Sequence, residues 1–205
     1  MVMIFAIQLL AAMSPGFVTL IILGVGLLVT VIYVISLQNN LVSGRQSCRE
    51  SWSDIDTELE RRHDLIPNLV NCVKGYATHE KTLLKDVTSL RSTAVNDRSK
   101  GPSDRARVED QLGKAVHGLL ATFEAYPDLK ASQNFLELQK ELGETETRIA
   151  RARRFYNANV RDFLNRVQMF PSNMVAGMFG FKETEFEFFE AEAAAKSVVN
   201  VDMST

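Results

Sequence analysis

The feature that most constrains this chain of 205 residues is an uncharged run, residues 17–37, rich in Leu, Ile and Val. Its length meets the ~20 residues that a helix needs to cross the hydrocarbon core of a bilayer. A signal peptide would begin with basic residues and carry a shorter apolar core. A core helix of a small domain would keep a polar face. The sequence therefore predicts one transmembrane helix over residues 17–37, with room for one further domain.

Residues 1–16 form a second apolar stretch, which is too short to cross a membrane alone. A Ser-Pro-Gly sequence separates it from the predicted span, so we expect this N-terminal extension to lie in the membrane interface or to contact neighbouring chains. Within the span, Gly24, Gly26 and Thr30 offer small side chains that let helices approach closely. These three residues are candidates for an oligomer interface.

The predicted orientation follows from the basic residues beside the span. No charged side chain precedes it, whereas Arg45 and Arg49 follow it. Basic residues near a span are retained on the cytoplasmic side of the inner membrane. The sequence therefore predicts a single-pass protein with its N-terminus outside and its C-terminal domain in the cytoplasm.

The remaining sequence has the apolar spacing of long packed helices. From Cys48 onwards, apolar residues recur in steps of four and three, the near-heptad period of helices packed almost parallel. The pattern predicts an all-α fold in which residues 42–170 form an up-and-down antiparallel four-helix bundle. If the chain does not turn near residues 75–78, the alternative is three long helices. Predicted core positions include Ile55, Leu59, Ile66, Leu69, Val73, Tyr76, Val87, Leu112, Leu119, Phe135, Leu142, Ile149, Tyr156, Val160, Phe163, Val167 and Phe170.

Polar residues interrupt this spacing. Arg62 occupies a position where an apolar residue is expected, and a buried charge costs stability unless it is paired. We therefore expect a carboxylate or amide of another helix to hold Arg62. Arg62→Leu is then expected to be tolerated, whereas loss of the partner alone should be costly. The predicted structural polar layer consists of Arg61, Arg62, His63, Asp64, Asn157 and Asn165.

No motif points to an enzyme or a cofactor. Glu60 and His63 have the Glu-x-x-His spacing of di-iron bundles, but such sites need the motif twice, and neither His79 nor His117 has a Glu three residues earlier. Glycine-rich phosphate loops and Ser-His-Asp arrangements are absent from the sequence. With a net charge of −2, the chain also lacks the basic character typical of nucleic-acid binding. We expect no catalytic residue, metal, cofactor or nucleic-acid partner.

An aromatic C-terminal segment, residues 171–189, follows the predicted bundle. Six of the twelve phenylalanines lie between residues 170 and 189, a density of apolar surface that suggests an interface. Acidic residues between them would be repelled by anionic lipid, so we expect a second subunit as the partner. Residues 190–205 are expected to be a disordered tail. The predicted interface residues are Phe179, Phe181, Phe186, Phe188 and Phe189.

Four longer motifs lie within residues 42–181: Leu59-Glu60-Arg61-Arg62-His63-Asp64-Leu65-Ile66-Pro67-Asn68-Leu69-Val70, Glu124-Ala125-Tyr126-Pro127-Asp128-Leu129-Lys130-Ala131, Glu146-Thr147-Arg148-Ile149-Ala150-Arg151-Ala152-Arg153-Arg154-Phe155-Tyr156-Asn157 and Phe170-Pro171-Ser172-Asn173. They resemble the LemA family. The resemblance implies a bacterial membrane protein with an N-terminal span and a LemA-type helical bundle, and it supplies no catalytic residues. A relative that acts in forming magnetosome membranes makes membrane organisation the functional analogy.

Two functional hypotheses follow. The first is a self-associating scaffold, anchored in the inner membrane, that organises or remodels the bilayer; its partners are lipid and further copies of the chain. The second is a membrane-bound adaptor that docks a sensor kinase or a membrane protease, which adds other membrane proteins to the partners. A large defined assembly in mild detergent favours the scaffold, and a monomer favours the adaptor.

Overall fold

The computed structural model describes residues 15–76 and 80–190. Most of the predicted N-terminal extension and of the predicted tail, residues 1–14 and 191–205, lies outside the described residues. The described part is all-α and contains no β-strand, in agreement with the predicted fold class. Its elements are α1 (Pro15–Val73), α2 (Lys81–Asn96), a 3₁₀ turn (Asp97–Ser99), α3 (Pro102–Phe123), α4 (Pro127–Lys130), α5 (Gln133–Gln168), α6 (Ser172–Phe179) and a second 3₁₀ turn (Glu183–Glu185).

Helix α1 joins the predicted span to the rest of the chain without a break. It contains 59 residues, and it is the one helix among the described residues that is long and apolar enough to cross a membrane. No residue in the most apolar stretch of this helix is buried by the rest of the described chain. The candidate span and the first helix of the domain that follows it are therefore one continuous helix.

Pro67 lies inside α1, and the helix continues beyond it to Val73. Proline has no backbone N–H, so the carbonyl of His63, four residues earlier, loses its helical donor. The Nε of Arg91 in α2 donates to that carbonyl instead. After Val73 the chain turns, and α2 begins at Lys81, so the first two predicted helical segments do not form one continuous rod.

Helices α1 and α5 run antiparallel beside each other. Near the candidate span, Arg166 Nη1 donates to the carbonyl of Asn40 at 2.8 Å. Farther along α1, Arg62 Nη1 donates to Glu146 Oε1 at 2.7 Å. The α5 residue number falls as the α1 number rises, which fixes the direction. Because α5 has 36 residues, this pairing extends along the whole region beyond the span.

Two apolar clusters fill the space around this pair. The distal cluster, farther from the candidate span, is covered by α2, α3 and α4, and its largest members are Ile66, Leu69, Leu112, Leu119, Phe123, Leu129, Phe135 and Leu142. The proximal cluster, nearer the span, is covered mainly by α6 and the segment after it, and includes Leu41, Cys48, Ile55, Leu59, Tyr156, Val160, Phe163, Val175, Phe181 and Phe189.

Most predicted core positions are buried, and two exceptions have clear causes. Tyr76 is exposed because α1 ends at Val73 and leaves this residue in the turn. Phe170, the last of the predicted core positions, is 77% exposed. The prediction was wrong because α5 ends at Gln168, before the Phe-Pro pair that disfavours helical geometry.

Phe163→Ala should lower the free energy of unfolding by about 3–5 kcal/mol. Phe163 is fully buried, and its ring centroid lies 5.3 Å from that of Phe186 and 6.4 Å from that of Phe181. Urea unfolding of the detergent-solubilised chain, followed by circular dichroism, measures the effect. Phe155→Ala removes the same ring from an exposed site on the same helix and should change stability by less than about 0.5 kcal/mol. Equal losses from the two variants would contradict this packing.

Candidate functional site

A buried arginine lies between the two apolar clusters. Arg62 Nη1 donates to Glu146 Oε1 on α5, and Nη2 donates both to the carboxylate of Glu109 on α3 and, at 3.1 Å, to its backbone carbonyl. His63 Nε2 lies 3.0 Å from one Glu109 carboxylate oxygen and 3.3 Å from the other. Arg62, His63 and Glu109 are almost inaccessible to solvent. These four residues, the Arg62 network, connect α1, α3 and α5.

The charges of the network support one another. Burial by itself raises the pKa of the Glu109 carboxyl, but the hydrogen bond from His63 and the charge of Arg62 outweigh burial and hold that pKa below its usual range. Burial likewise lowers the pKa of Arg62, and the carboxylates of Glu146 and Glu109 raise it above its ordinary value. The arrangement is that of a paired structural charge, in which loss of one member leaves another buried without compensation.

The other predicted polar residues lie elsewhere. Arg61 and Asp64, which flank the network on α1, are exposed, as is Asn165 on α5. Successive residues of a helix point about 100° apart, so four consecutive residues do not all face one core. Asn157 is buried, but it lies in the proximal half, where it binds the C-terminal segment rather than Arg62.

Sequence reasoning missed the two carboxylates of the network. The buried face of α3 that carries Leu112, Val116, Leu119 and Phe123 continues backwards in steps of three and four to Glu109 and Arg105. Following these steps through charged as well as apolar residues would have placed both in the core. Glu146 gave no such signal, because its side chain is 43% exposed and reaches Arg62 from the rim.

Arg105 is a second buried cation, at the start of α3. Its Nη2 donates to Asp56 Oδ1 at 2.6 Å, and its guanidinium carbon lies 5.0 Å from the centroid of the Trp52 ring. Stacking on an aromatic face and pairing with a carboxylate compensate a buried guanidinium. This contact holds the first turn of α3 against α1.

Glu60 and His63 do not converge on a common point. Glu60 is exposed and accepts a hydrogen bond from Arg98 at 3.2 Å, whereas His63 is buried beside Glu109. Throughout residues 15–76 and 80–190, no group of three or more His, Cys, Asp or Glu side chains is arranged to hold a metal ion.

The residues that follow α6, 180–190, lie against α1 and α5 and are called the strap here. Gly180 has a φ of 74°, a left-handed conformation that favours glycine. It lets the Phe181 N–H donate to the Ala176 carbonyl at 3.0 Å and close α6. Phe181 and Phe189 are buried in the proximal cluster, and Phe186 packs against it.

Polar contacts hold the strap at both ends. Arg45 Nε lies 2.8 Å from a Glu185 carboxylate oxygen, and its guanidinium carbon lies 4.2 Å from the centroid of the Phe181 ring. At the other end, the Phe189 N–H donates to Asn157 Oδ1 at 2.9 Å. The Tyr156 hydroxyl donates to the Glu187 carbonyl at 2.8 Å. The segment is therefore an integral part of the domain.

This packing changes the interpretation of the predicted oligomer interface. Phe181, Phe186 and Phe189 contact their own chain, so a neighbouring subunit does not reach them while the strap is in place. Phe179 and Phe188 keep exposed surface. The small residues Gly24, Gly26 and Thr30 lie on the uncovered stretch of α1, and a Cβ built on either glycine meets no atom within 4 Å.

A family model described as the LemA family matches residues 51–203, three quarters of the chain. The chain belongs to the LemA family. The match includes α1 residues of the Arg62 network, all of α2 to α6 and the strap. The family resemblance seen in the motifs is thereby confirmed.

Two kinds of relative are similar to this LemA-family chain. "Protein LemA" of Metamycoplasma hominis is 28% identical over 68% of this chain and 63% of its own length. "Magnetosome protein MamQ 2" of Paramagnetospirillum magneticum is 23% identical over 72% of this chain and 63% of its own length. "Magnetosome protein MamQ" of Magnetospirillum gryphiswaldense is 22% identical over 78% of this chain and 68% of its own length. The alignment thus spans less than two thirds of the first two relatives.

Arg62→Leu should lower the free energy of unfolding by about 3–5 kcal/mol. This reverses the expectation from the sequence, because the substitution leaves the Glu109 carboxylate buried with His63 as its remaining side-chain partner. The double variant Arg62→Leu/Glu109→Leu removes both buried charges, and Glu146 is free to turn to solvent. It should recover most of the loss, and urea unfolding compares the three chains. A double variant less stable than Arg62→Leu would contradict the paired-charge account.

The same pair predicts a pH dependence. A carboxyl whose pKa is lowered on folding stabilises the folded state above its unfolded pKa, about 4.3, and that contribution is lost as the pH falls through the lower folded value. Melting temperatures measured from pH 6 down to about pH 2 should therefore fall less steeply for Arg62→Leu/Glu109→Leu than for the unmodified chain. Parallel curves would show that Glu109 is not held ionised in the folded state.

Proposed function

We propose that this LemA-family chain is a membrane-anchored, self-associating scaffold that organises or remodels the bacterial inner membrane. The observation that carries the proposal is the continuity of α1. One helix runs from Pro15 to Val73, through the candidate span and on into the packed region, with no loop between them. A flexible tether would let a domain sample many orientations. A continuous helix instead couples the angle of the anchor to the angle of the domain.

The shape proposed for the domain is an up-and-down antiparallel four-helix bundle. Its support is the set of contacts of the distal half, where α1 packs with α5 and α2 with α3, while Arg62 reaches both α3 and α5. Short connections between successive helices favour antiparallel neighbours. A rigid bundle of this kind transmits the position of one copy to the next in an assembly.

The relatives support a role in the membrane. Three of them are magnetosome proteins by name, and the resemblance carried by the motifs implies no catalytic residue. The proposal accordingly assigns no catalysis, cofactor or nucleic-acid partner to the chain. Its partners are the lipid bilayer and other copies of the same chain.

The proposed orientation places the C-terminal domain in the cytoplasm. Ser99, exposed in the 3₁₀ turn before α3, is a suitable reporter. A Ser99→Cys variant lacking Cys72 should resist an impermeant maleimide in intact cells and react after permeabilisation. Cys48 need not be replaced, because burial raises the pKa of its thiol to about 11 and keeps it protonated. Rapid labelling of intact cells would reverse the orientation.

The proposed self-association uses the small residues of the span. Gly26 and Thr30 are four residues apart and share a face, the small-xxx-small spacing of close helix pairs. Gly26→Ile should reduce the size of the particle in mild detergent, measured by light scattering, because the added side chain separates the helices while finding free space within one chain. Gly24→Ile makes the same addition on the opposite side of α1 and tests the other small-residue face of the span separately. A large particle that survives both substitutions would exclude this interface.

The adaptor is the second candidate, and one surface favours it. The face of α1 and α5 on which Glu60, Arg61, Asp64, Glu144 and Arg148 lie forms a groove with charges of both signs. A charged groove of this kind suits a polar segment of another protein. A monomer in mild detergent would favour the adaptor over the scaffold.

A further inference from the structure

An exposed apolar surface surrounds α6 and is not used by the chain itself. The face of α6 that carries Val175 and Ala176 is buried in the proximal cluster. The opposite face carries Met174 and Met178, which are 63% and 78% exposed. Met169 and Phe170, just before the helix, are also largely exposed. These four side chains, the α6 surface, are large apolar groups that solvent reaches directly.

The position of α6 in the fold sets what lies beside this surface. Val34 and Leu37 of α1 pack against the same cluster as Val175 and Ala176. Residue 37 is the last residue of the predicted span. The α6 surface is therefore beside the point at which α1 would leave the bilayer, and it continues the uncovered apolar surface of that helix.

The charge pattern around α6 is that of a segment at a lipid boundary. Residues 167–181 contain no Asp, Glu, Lys, Arg or His. Arg166 and Lys182 flank this stretch, and both are exposed. Long basic side chains at such a position place their charge at the headgroups while their alkyl stems lie along apolar surface.

The acidic residues of the strap do not prevent this contact. The Glu185 carboxylate lies 2.8 Å from Arg45 Nε and 3.6 Å from Arg49 Nη2, so its charge is compensated. Glu183 accepts a hydrogen bond from Gln168 at 3.1 Å. The charge of Glu185 is thus offset locally by Arg45 and Arg49, which weakens its repulsion from anionic lipid.

We propose that the α6 surface inserts into the lipid–water interface as a second membrane contact, beside the transmembrane helix. Met174, Met178 and Phe170 enter the boundary between headgroups and acyl chains, while Val175 and Ala176 stay in the protein core. Two contacts at different depths hold the bundle against the bilayer and fix its rotation about α1. The inference rests on the proposed membrane anchoring of α1.

Depth-dependent quenching in vesicles tests the insertion. The full chain, with Cys72 replaced by Ala, carries a single fluorophore at Met178→Cys and is reconstituted in phosphatidylethanolamine and phosphatidylglycerol vesicles. A lipid nitroxide near the headgroup should quench this probe several-fold more strongly than a nitroxide at the end of the acyl chain, because an interfacial helix lies only about 5–10 Å into the headgroup/acyl boundary. Circular dichroism of the labelled chain checks that the fold is kept.

Two matched probes separate the possible outcomes. Leu28→Cys lies within the candidate span and should be quenched most by the deep nitroxide, and Leu136→Cys is an exposed leucine on α5 at the distal end that neither nitroxide should reach. Quenching at Leu28 without quenching at Met178 would overturn the second contact and leave the anchor intact. Absence of quenching at both sites would overturn the anchor itself. A Met178 probe that is unquenched by lipid but transfers energy to a second labelled copy would assign the surface to a protein interface and overturn the lipid proposal.

Discussion

The antiparallel pairing of α1 and α5 is the contact on which the rest of the structure depends. Two long helices bury a seam between them, but each keeps apolar residues on its flanks that a pair alone leaves in water. Every other element of the described chain covers those flanks. In the distal half the cover is α2, α3 and α4, and in the proximal half it is α6 and the strap. Because different elements pack on the two halves of one helix pair, the apolar core divides into two clusters.

The Arg62 network lies between these two halves, where the distal cluster ends and the proximal cluster begins. Its arginine comes from α1, and its carboxylates come from the two helices that α1 must contact in the correct register, Glu109 on α3 and Glu146 on α5. An apolar seam with a near-heptad repeat permits sliding by whole turns, whereas a buried guanidinium permits the one alignment in which both carboxylates are within hydrogen-bond distance. We interpret the network as the element that selects this register.

Helical periodicity predicted the fold class and most of the core, because burial of one face of a helix leaves a direct record in the spacing of apolar residues. It marked Arg62 as exceptional for the same reason. It did not identify Glu109, because the adjacent apolar Val108 is also buried and fits the same spacing, so apolar spacing alone does not show that the charged neighbour faces the core as well. Helical periodicity did not predict how the strap packs. The strap residues Phe181, Phe186 and Phe189 follow no helical period. The density of phenylalanines indicates a buried contact, but it does not show whether the surface they contact belongs to the same chain or to another.

The two halves of the domain are covered differently for a reason that lies in their surroundings. A helix such as α3 presents a charged outer face, including the exposed residues Asp104, Arg107 and Lys114, which suits water and would be costly beside acyl chains. The proximal half begins where α1 leaves the candidate span, so the proposed lipid contact requires the covering element nearest to the span to be free of charge on its outer side. Residues 167–181 meet that condition, and Glu185, farther along the strap, is paired with Arg45. The composition of the covering segment thus follows from its distance to the end of the span.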